Sequence, residues 1–133
     1  MATAIDSSVL LDVLLADPAF FKTSESALRT AAAQGELILC ETVVAEIAPV
    51  LADASVEEFL SDWGIRFSPS SLASATLAGD MFRAYLQRGG KRGRVVPDFL
   101  IAAHAQIHAD ALLARDRGYY RNYFQGLKVV EPK

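Results

Sequence analysis

The sequence predicts a single α/β domain spanning residues 1–133, with helices on both faces of a mainly parallel sheet of about four to five strands. A length of 133 residues suits one ordinary domain. With 52% hydrophobic residues, the chain can bury a sizeable core. Short apolar runs alternate with segments of helical periodicity, a pattern typical of crossover units in a parallel, three-layer α/β/α arrangement.

The first half of the chain is predicted to begin with a buried strand at 3–5 and a helix at 7–15, where apolar residues recur at helical spacing. Gly35 is a natural helix stop, Pro49 is expected to kink a helix or end it early, and Glu58 forms a capping box with Ser55. The remaining predicted elements of this half are helices at 24–34, 42–51 and 55–63 and strands at 37–40 and 65–67.

The second half is predicted to contain a long helix at 71–87, a basic, glycine-rich loop at 88–94 and an apolar helix at 97–108. Pro97 suits the first turn of that helix, because the backbone N–H that proline lacks has no helical partner there. The remaining predicted elements are strands at 111–114 and 128–130, a loop at 115–118 and one helical turn at 119–124.

Composition excludes several classes of protein. Cys40 is the single cysteine, which rules out an internal disulfide and a cysteine zinc cluster and suits a reducing cytoplasm. No apolar run reaches the length of a membrane span, and the N-terminus does not resemble a secretory signal. We therefore expect a cytoplasmic protein without a membrane segment.

The charge is unevenly distributed along the chain. Residues 1–65 contain two basic and eleven acidic residues, a net charge of −9, whereas residues 66–133 carry +6. Such asymmetry favours an electrostatic partner for the second half, although clustered charges on a solvated surface would give the same pattern.

Four acidic residues are predicted to meet at one rim of the sheet, where ligands bind in parallel α/β folds. Asp6 follows the first strand, Asp116 follows the fourth, Glu46 lies in the helix after the second, and Asp98 lies in the first turn of the helix before the fourth. Each also has an ordinary role open to it: helix cap for Asp6, boundary residue for Glu46, helix start for Asp98 and turn for Asp116.

Carboxylates held together repel one another unless a cation compensates them, and such oxygen ligands suit Mg²⁺ or Mn²⁺. His104 and His108 lie four residues apart on one helix without a third ligand, which argues against catalytic zinc. Six other acids were assigned to helix interiors or solvated faces and excluded from the site: Asp12, Glu25, Glu41, Glu57, Glu58 and Asp62.

Four segments of the chain resemble PIN domains, and more narrowly VapC-type toxins of type II toxin–antitoxin pairs. They are IDSSVLLD at 5–12, VAEI at 44–47, PDFLIAAHA at 97–105 and LARDRGYY at 113–120. The resemblance implies a ribonuclease in which Asp6, Glu46, Asp98 and Asp116 hold Mg²⁺ or Mn²⁺, with the Ser8 hydroxyl beside the metal. It also implies a cognate antitoxin and a homodimer, for which the helices between 24 and 63 would supply apolar surface.

Basic residues near the predicted rim are candidates for RNA contacts. The basic residues at 91–94 could instead belong to a flexible, solvated loop. Four aromatic residues are candidates for stacking on RNA bases, with packing under the last strand as the alternative: Tyr119, Tyr120, Tyr123 and Phe124. The candidate RNA contacts are Ser8, Lys91, Arg92, Arg94, Arg115 and Arg117.

Three other functions remain open at this point. A non-catalytic PIN-like scaffold could bind RNA or protein without cutting it, and a DNA-directed or structure-specific nuclease could use the same acids. An aspartyl-phosphate enzyme could use Asp6 as its nucleophile, but the second acid two residues on, found in the common phosphatase motif, is missing.

Overall fold

The computed structural model describes residues 1–51, 54–93, 95–116 and 118–133. Within these residues five parallel strands form one sheet in the order β3-β2-β1-β4-β5, which confirms the predicted sheet. The strands are β1 (Ala2–Ile5), β2 (Glu36–Leu39), β3 (Ile65–Phe67), β4 (Ala111–Leu113) and β5 (Val129–Val130).

Helices connect successive strands, as a parallel sheet requires. Those between β1 and β3 are α1 (Ser7–Leu14), α2 (Phe21–Gln34), α3 (Glu41–Ile47) and α4 (Val56–Trp63). Those between β3 and β5 are α5 (Leu72–Gln87), α6 (Val96–His108) and α7 (Tyr119–Tyr123).

The strand order places the helices on both faces of the sheet. The chain moves from β1 to β3 in one direction and from β4 to β5 in the other. Because parallel crossovers are right-handed, the two groups of helices cover opposite faces. The neighbouring strands β1 and β4 therefore form the point where the order reverses, and ligands bind beyond the carboxyl ends of strands at such a point.

Helix boundaries follow the expected signals with one clear difference. A 3₁₀ turn at Ala48–Val50 follows α3, which confirms that Pro49 ends the helix early. The helix α2 begins at Phe21 rather than at residue 24. The Asp17 side chain accepts hydrogen bonds from the backbone N–H groups of Ala19 and Phe20 just before it, and this turn starts the helix earlier than the apolar spacing indicates.

Aromatic side chains form a large part of the core around α6. Phe99 is completely buried, and its ring contacts an aromatic cluster of Phe82, Tyr85, Tyr119, Tyr123 and Phe124. The packing alternative is confirmed for Tyr120 and Phe124, which are 4% and 1% exposed. Cys40 is buried in the same core, as the sequence predicts.

Exposed apolar side chains are found mainly outside the segment predicted to supply a dimer surface. Among the described residues from 24 to 63, the leucines are buried or half-buried, so alanines are left at the surface. Among the described residues, the large hydrophobic ones most exposed to solvent are Met1, Leu15, Phe67, Leu72 and Ile107. As for a membrane, none of the helices in the described part combines the length and apolar character that a crossing requires.

His104 makes the stability of the domain dependent on pH. Its ring is 1% exposed, with Nε2 3.2 Å from Ser68 Oγ. Burial lowers the pKa of His104 below its ordinary value of 6.5, and the neighbouring His108 lowers it further. The pKa of His104 is therefore lower in the folded state than in the unfolded state. Burial of the neutral ring contributes stability that is fully present at a pH above the unfolded pKa. That stability is lost as the pH falls through the folded pKa.

We therefore expect the free energy of unfolding in urea to fall between about pH 7 and about pH 5, and His104→Gln to reduce that fall. His108→Gln is expected to reduce the fall only in part, because burial is a larger cause of the lowered pKa of His104 than the neighbouring His108. An unchanged pH dependence in His104→Gln would contradict the assignment.

Candidate active site

A pocket of about 460 Å³ opens beyond the carboxyl ends of β1 and β4. All four predicted acids, Asp6, Glu46, Asp98 and Asp116, line it, together with the predicted RNA contacts Ser8 and Arg115. Asp6 and Asp116 follow β1 and β4, Asp98 lies in the first turn of α6, and Glu46 is the penultimate residue of α3. The pocket thus lies at the predicted rim of the sheet, at the point where the strand order reverses.

Asp6 is buried, with 4% of its surface exposed. Its Oδ2 accepts a hydrogen bond from the backbone N–H of Ser8 at 3.2 Å and another from the Ser8 hydroxyl. Its Oδ1 accepts from the Tyr120 hydroxyl at 2.9 Å. Asp6 is thus the N-cap of α1, the ordinary role considered for it, and at the same time a member of the pocket wall.

Glu46 lines the same pocket as Asp6. The residue as a whole is exposed, but its Oε1 accepts a hydrogen bond from Ser7 Oγ at 3.0 Å. Partial burial of the carboxyl group raises the pKa of Glu46, the hydrogen bond from Ser7 lowers it, and the nearby Asp6 raises it further. The two carboxylates are therefore close enough to repel each other.

Tyr120 connects three of the acids. Burial raises the pKa of its hydroxyl strongly, and the negative charges of Asp6, Asp98 and Glu46 add to the effect. The phenol consequently stays protonated and donates to Asp6. Sequence reasoning considered Tyr120 only for stacking or packing, because the residue that it contacts lies 114 positions earlier in the chain.

Asp116 differs from the other three acids, because its oxygens are used by the backbone. Its Oδ1 accepts N–H bonds from Gly118 at 2.8 Å and Tyr120 at 3.2 Å, and its Oδ2 accepts one from Arg121 at 3.1 Å. Its side chain is 1% exposed. The turn role considered for Asp116 is therefore observed, and these bonds hold the start of α7 over the pocket.

A family model for the PIN domain matches residues 3–125. The chain belongs to the PIN domain family. No curated protein sequence matches it significantly.

Solved structures with the same fold include VapBC and Fit proteins. VapBC2 from Rickettsia felis, bound to a DNA fragment from its promoter, has a TM-score of 0.72 at 16% identity and covers 100% of both chains. DNA-bound VapBC from Salmonella typhimurium has a TM-score of 0.73 at 12% identity over 98% of each chain. FitAcB from Neisseria gonorrhoeae has a TM-score of 0.70 at 19% identity, covering 96% of this chain and 95% of the other. Identities this low establish the fold alone.

Asp12 of this PIN domain, one of the acids excluded from the site, lies inside α1 and is buried. It is 3% exposed and accepts hydrogen bonds from Ser24 Oγ at 2.6 Å and from the Arg115 guanidinium. The available signal was its position three residues after Val9, which is fully buried, since residues at this spacing share a helix face.

The described residues of the predicted basic loop are not part of the pocket lining. Lys91 and Arg92 are exposed and precede Pro97 and Asp98, which line the pocket. The Tyr85 hydroxyl donates to the Lys91 carbonyl at 3.0 Å and fixes the start of this segment. Arg94 and Arg117 lie outside the described residues.

The chemistry of the pocket fits a hard cation. Its ionisable lining among the described residues is carboxylate apart from Arg115 and two tyrosines, with no histidine or cysteine. Hydroxyl groups of Ser7, Ser8 and Tyr120 hold two of the carboxylates in place. Among the described residues, no three Asp, Glu, His or Cys side chains lie close enough together to hold a metal ion.

Proposed function

We propose that this PIN domain is a metal-dependent endoribonuclease and the toxin of a toxin–antitoxin pair. The observation that carries the proposal is the convergence of Asp6, Glu46 and Asp98 on one pocket, where their charges act on the same Tyr120 hydroxyl. Mutually repelling carboxylates reduce stability unless a cation neutralises them, so a domain that gathers them is suited to bind one.

In this proposal Asp6, Glu46 and Asp98 hold Mg²⁺ or Mn²⁺, directly or through water, and Asp116 completes the site at its edge. When bound, such a cation lowers the pKa of a water molecule and neutralises charge on a reacting phosphate. Ser8 and Tyr120 orient Asp6, and Ser7 orients Glu46, so the carboxylate oxygens keep fixed positions.

RNA is the proposed substrate because basic groups are found in the lining of the acidic pocket and in the loop that precedes Asp98. A polyanion is repelled by carboxylates, and cations at the rim offset that repulsion. Lys91 and Arg92 are exposed in the loop that leads to Asp98, and Arg115 lines the pocket itself. RNA is thus the proposed substrate. The other proposed partners are a cognate antitoxin, as inhibitor, and a second copy of the chain.

The antitoxin is inferred from the similarity of the fold to VapBC and FitAcB, which extends over nearly the whole of each chain. The activity of a toxin is expected to appear in cells as growth arrest when the chain is expressed without a partner. Growth is expected to continue in cells that express Asp98→Asn.

The direct test is metal removal. Purified protein incubated with total cellular RNA is expected to give discrete fragments in Mg²⁺ or Mn²⁺ and none in EDTA. Parallel reactions contain single-stranded and duplex DNA, and circular dichroism checks that EDTA leaves the protein folded. Mapping the fragment ends identifies the cleavage sequence.

Two results would overturn the proposal. Intact RNA in every metal condition, with a folded protein, would favour a non-catalytic scaffold. Cleavage of DNA with RNA left intact would favour a DNA-directed nuclease.

A further inference from the structure

The guanidinium of Arg115 is held rigidly by a buried acid. Its Nε and Nη2 atoms donate to the two carboxylate oxygens of Asp12, at 3.0 Å and 2.7 Å. The Asp12 side chain is 4% exposed and also accepts from Ser24 at the start of α2. A bidentate pair of this kind fixes both the position and the plane of an arginine.

An aromatic ring supports the same guanidinium from one face. Arg115 Cζ lies 4.1 Å from the centroid of the Phe20 ring, within range of a cation–π contact. The backbone N–H of Arg115 donates to Ser8 Oγ at 3.4 Å, and this hydroxyl is bonded to Asp6. Arg115 is therefore connected to the buried pocket acid Asp6 through a single serine.

Arg115 still presents hydrogen-bond donors to the pocket. Its side chain is 37% exposed, and it lines the pocket with the four acids. The pair with Asp12 uses Nε and Nη2, and the described residues provide no partner for Nη1. Among the described lining residues Arg115 is also the only cation, because Lys91 and Arg92 lie in the neighbouring loop.

We propose that Arg115 binds a phosphate group of single-stranded RNA in the pocket, and that Asp12 and Phe20 are positioning residues that orient its guanidinium. The proposal rests on the ribonuclease function proposed above and adds the subsite that fixes the substrate backbone. Pre-orientation matters here, because a flexible cation beside four carboxylates would form ion pairs with them instead of with the substrate.

The test measures RNA binding instead of cleavage. A short, labelled single-stranded RNA of mixed sequence is titrated with the Asp98→Asn protein by fluorescence anisotropy, in Mg²⁺ and in EDTA, at several salt concentrations. We compare four changes in that background: Arg115→Gln, Asp12→Asn, both together, and Arg29→Gln. Arg29 is a matched control on α2, outside the pocket lining. It pairs with Glu25, and its guanidinium lies over the ring of Trp63.

Arg115→Gln is expected to weaken RNA binding about tenfold and to reduce the slope of log affinity against log salt by about 0.7, the value for one phosphate contact on a single strand. Asp12→Asn keeps the cation and is expected to preserve the slope. The double variant removes the buried acid together with its partner, so the proposal can still be tested if Arg115→Gln alone does not fold. The double variant is expected to show the same reduction of the salt slope as Arg115→Gln. Arg29→Gln is expected to leave the slope unchanged.

Unchanged affinity and salt slope in both Arg115 variants would overturn the proposal and leave Arg115 as a structural partner of Asp12. Equal losses in Asp12→Asn and Arg115→Gln without a change of slope would do the same. Failure of the ribonuclease function gives a different result, because the slope would still change in a protein whose wild type cuts no RNA.

Discussion

Replacing Asp98 with asparagine is expected to reduce RNA cleavage at least about a hundredfold while the domain stays folded. Asparagine has the same shape as aspartate but lacks the charge needed to hold a divalent cation. Asp98 lies in the first turn of α6 and lines the pocket, and its charge acts on Tyr120 together with those of Asp6 and Glu46. The substitution therefore removes one of the three negative charges gathered there.

Stability separates this effect from simple unfolding. Loss of repulsion among the acids favours the variant. Loss of the favourable interactions of the Asp98 carboxylate opposes it, and the one with the helix N-terminus contributes about 0.3–1 kcal/mol. We thus expect the melting temperature without metal to change little. Added Mg²⁺ is expected to raise the melting temperature of the wild type and to raise that of Asp98→Asn less, since a ligand that binds the folded state stabilises it.

Initial rates on a labelled RNA and melting curves with and without Mg²⁺ check both expectations. Asp62→Asn is the matched control, because Asp62 is an exposed acid in the last turn of α4 and lies outside the pocket lining. Its rate and its response to Mg²⁺ are expected to equal those of the wild type. Full cleavage by Asp98→Asn would exclude Asp98 from the site.

Phe99→Ala is expected to lower the free energy of unfolding by about 3–5 kcal/mol, the usual cost of removing a buried aromatic side chain. Phe99 is fully buried, and the centroid of its ring lies 5.6 Å from those of Tyr85 and Tyr123. The cluster joins α5, α6 and α7, so the cavity would form where three helices meet. Because Phe99 follows Asp98 directly, the loss of packing is also expected to reduce cleavage.

Urea unfolding monitored by circular dichroism measures the change in stability. Phe67→Ala is a matched control in the edge strand β3, where the side chain is 43% exposed, and its cost is expected to be below about 1 kcal/mol. A cost below about 1 kcal/mol for Phe99→Ala as well would show that the aromatic cluster does not support the fold.

The sequence by itself determined the elements of this PIN domain and the rim where its acids meet. Helical and strand periodicities involve residues close in the chain, so they indicate the alternation of strands and helices directly. Asp6 follows β1, and Asp98 lies at the start of α6. The rule for parallel sheets puts both positions at the carboxyl-end rim without knowledge of the strand order.

Only the tertiary structure decided what each polar side chain contacts. Tyr120 reaches Asp6, and Arg115 reaches Asp12, because β4 lies beside β1 in the sheet, although more than a hundred residues separate each pair. Asp116 resembles the other acids in sequence, but its oxygens accept three backbone N–H groups. Such contacts depend on which strands become neighbours and on how loops close over them, and no local pattern of residues records either.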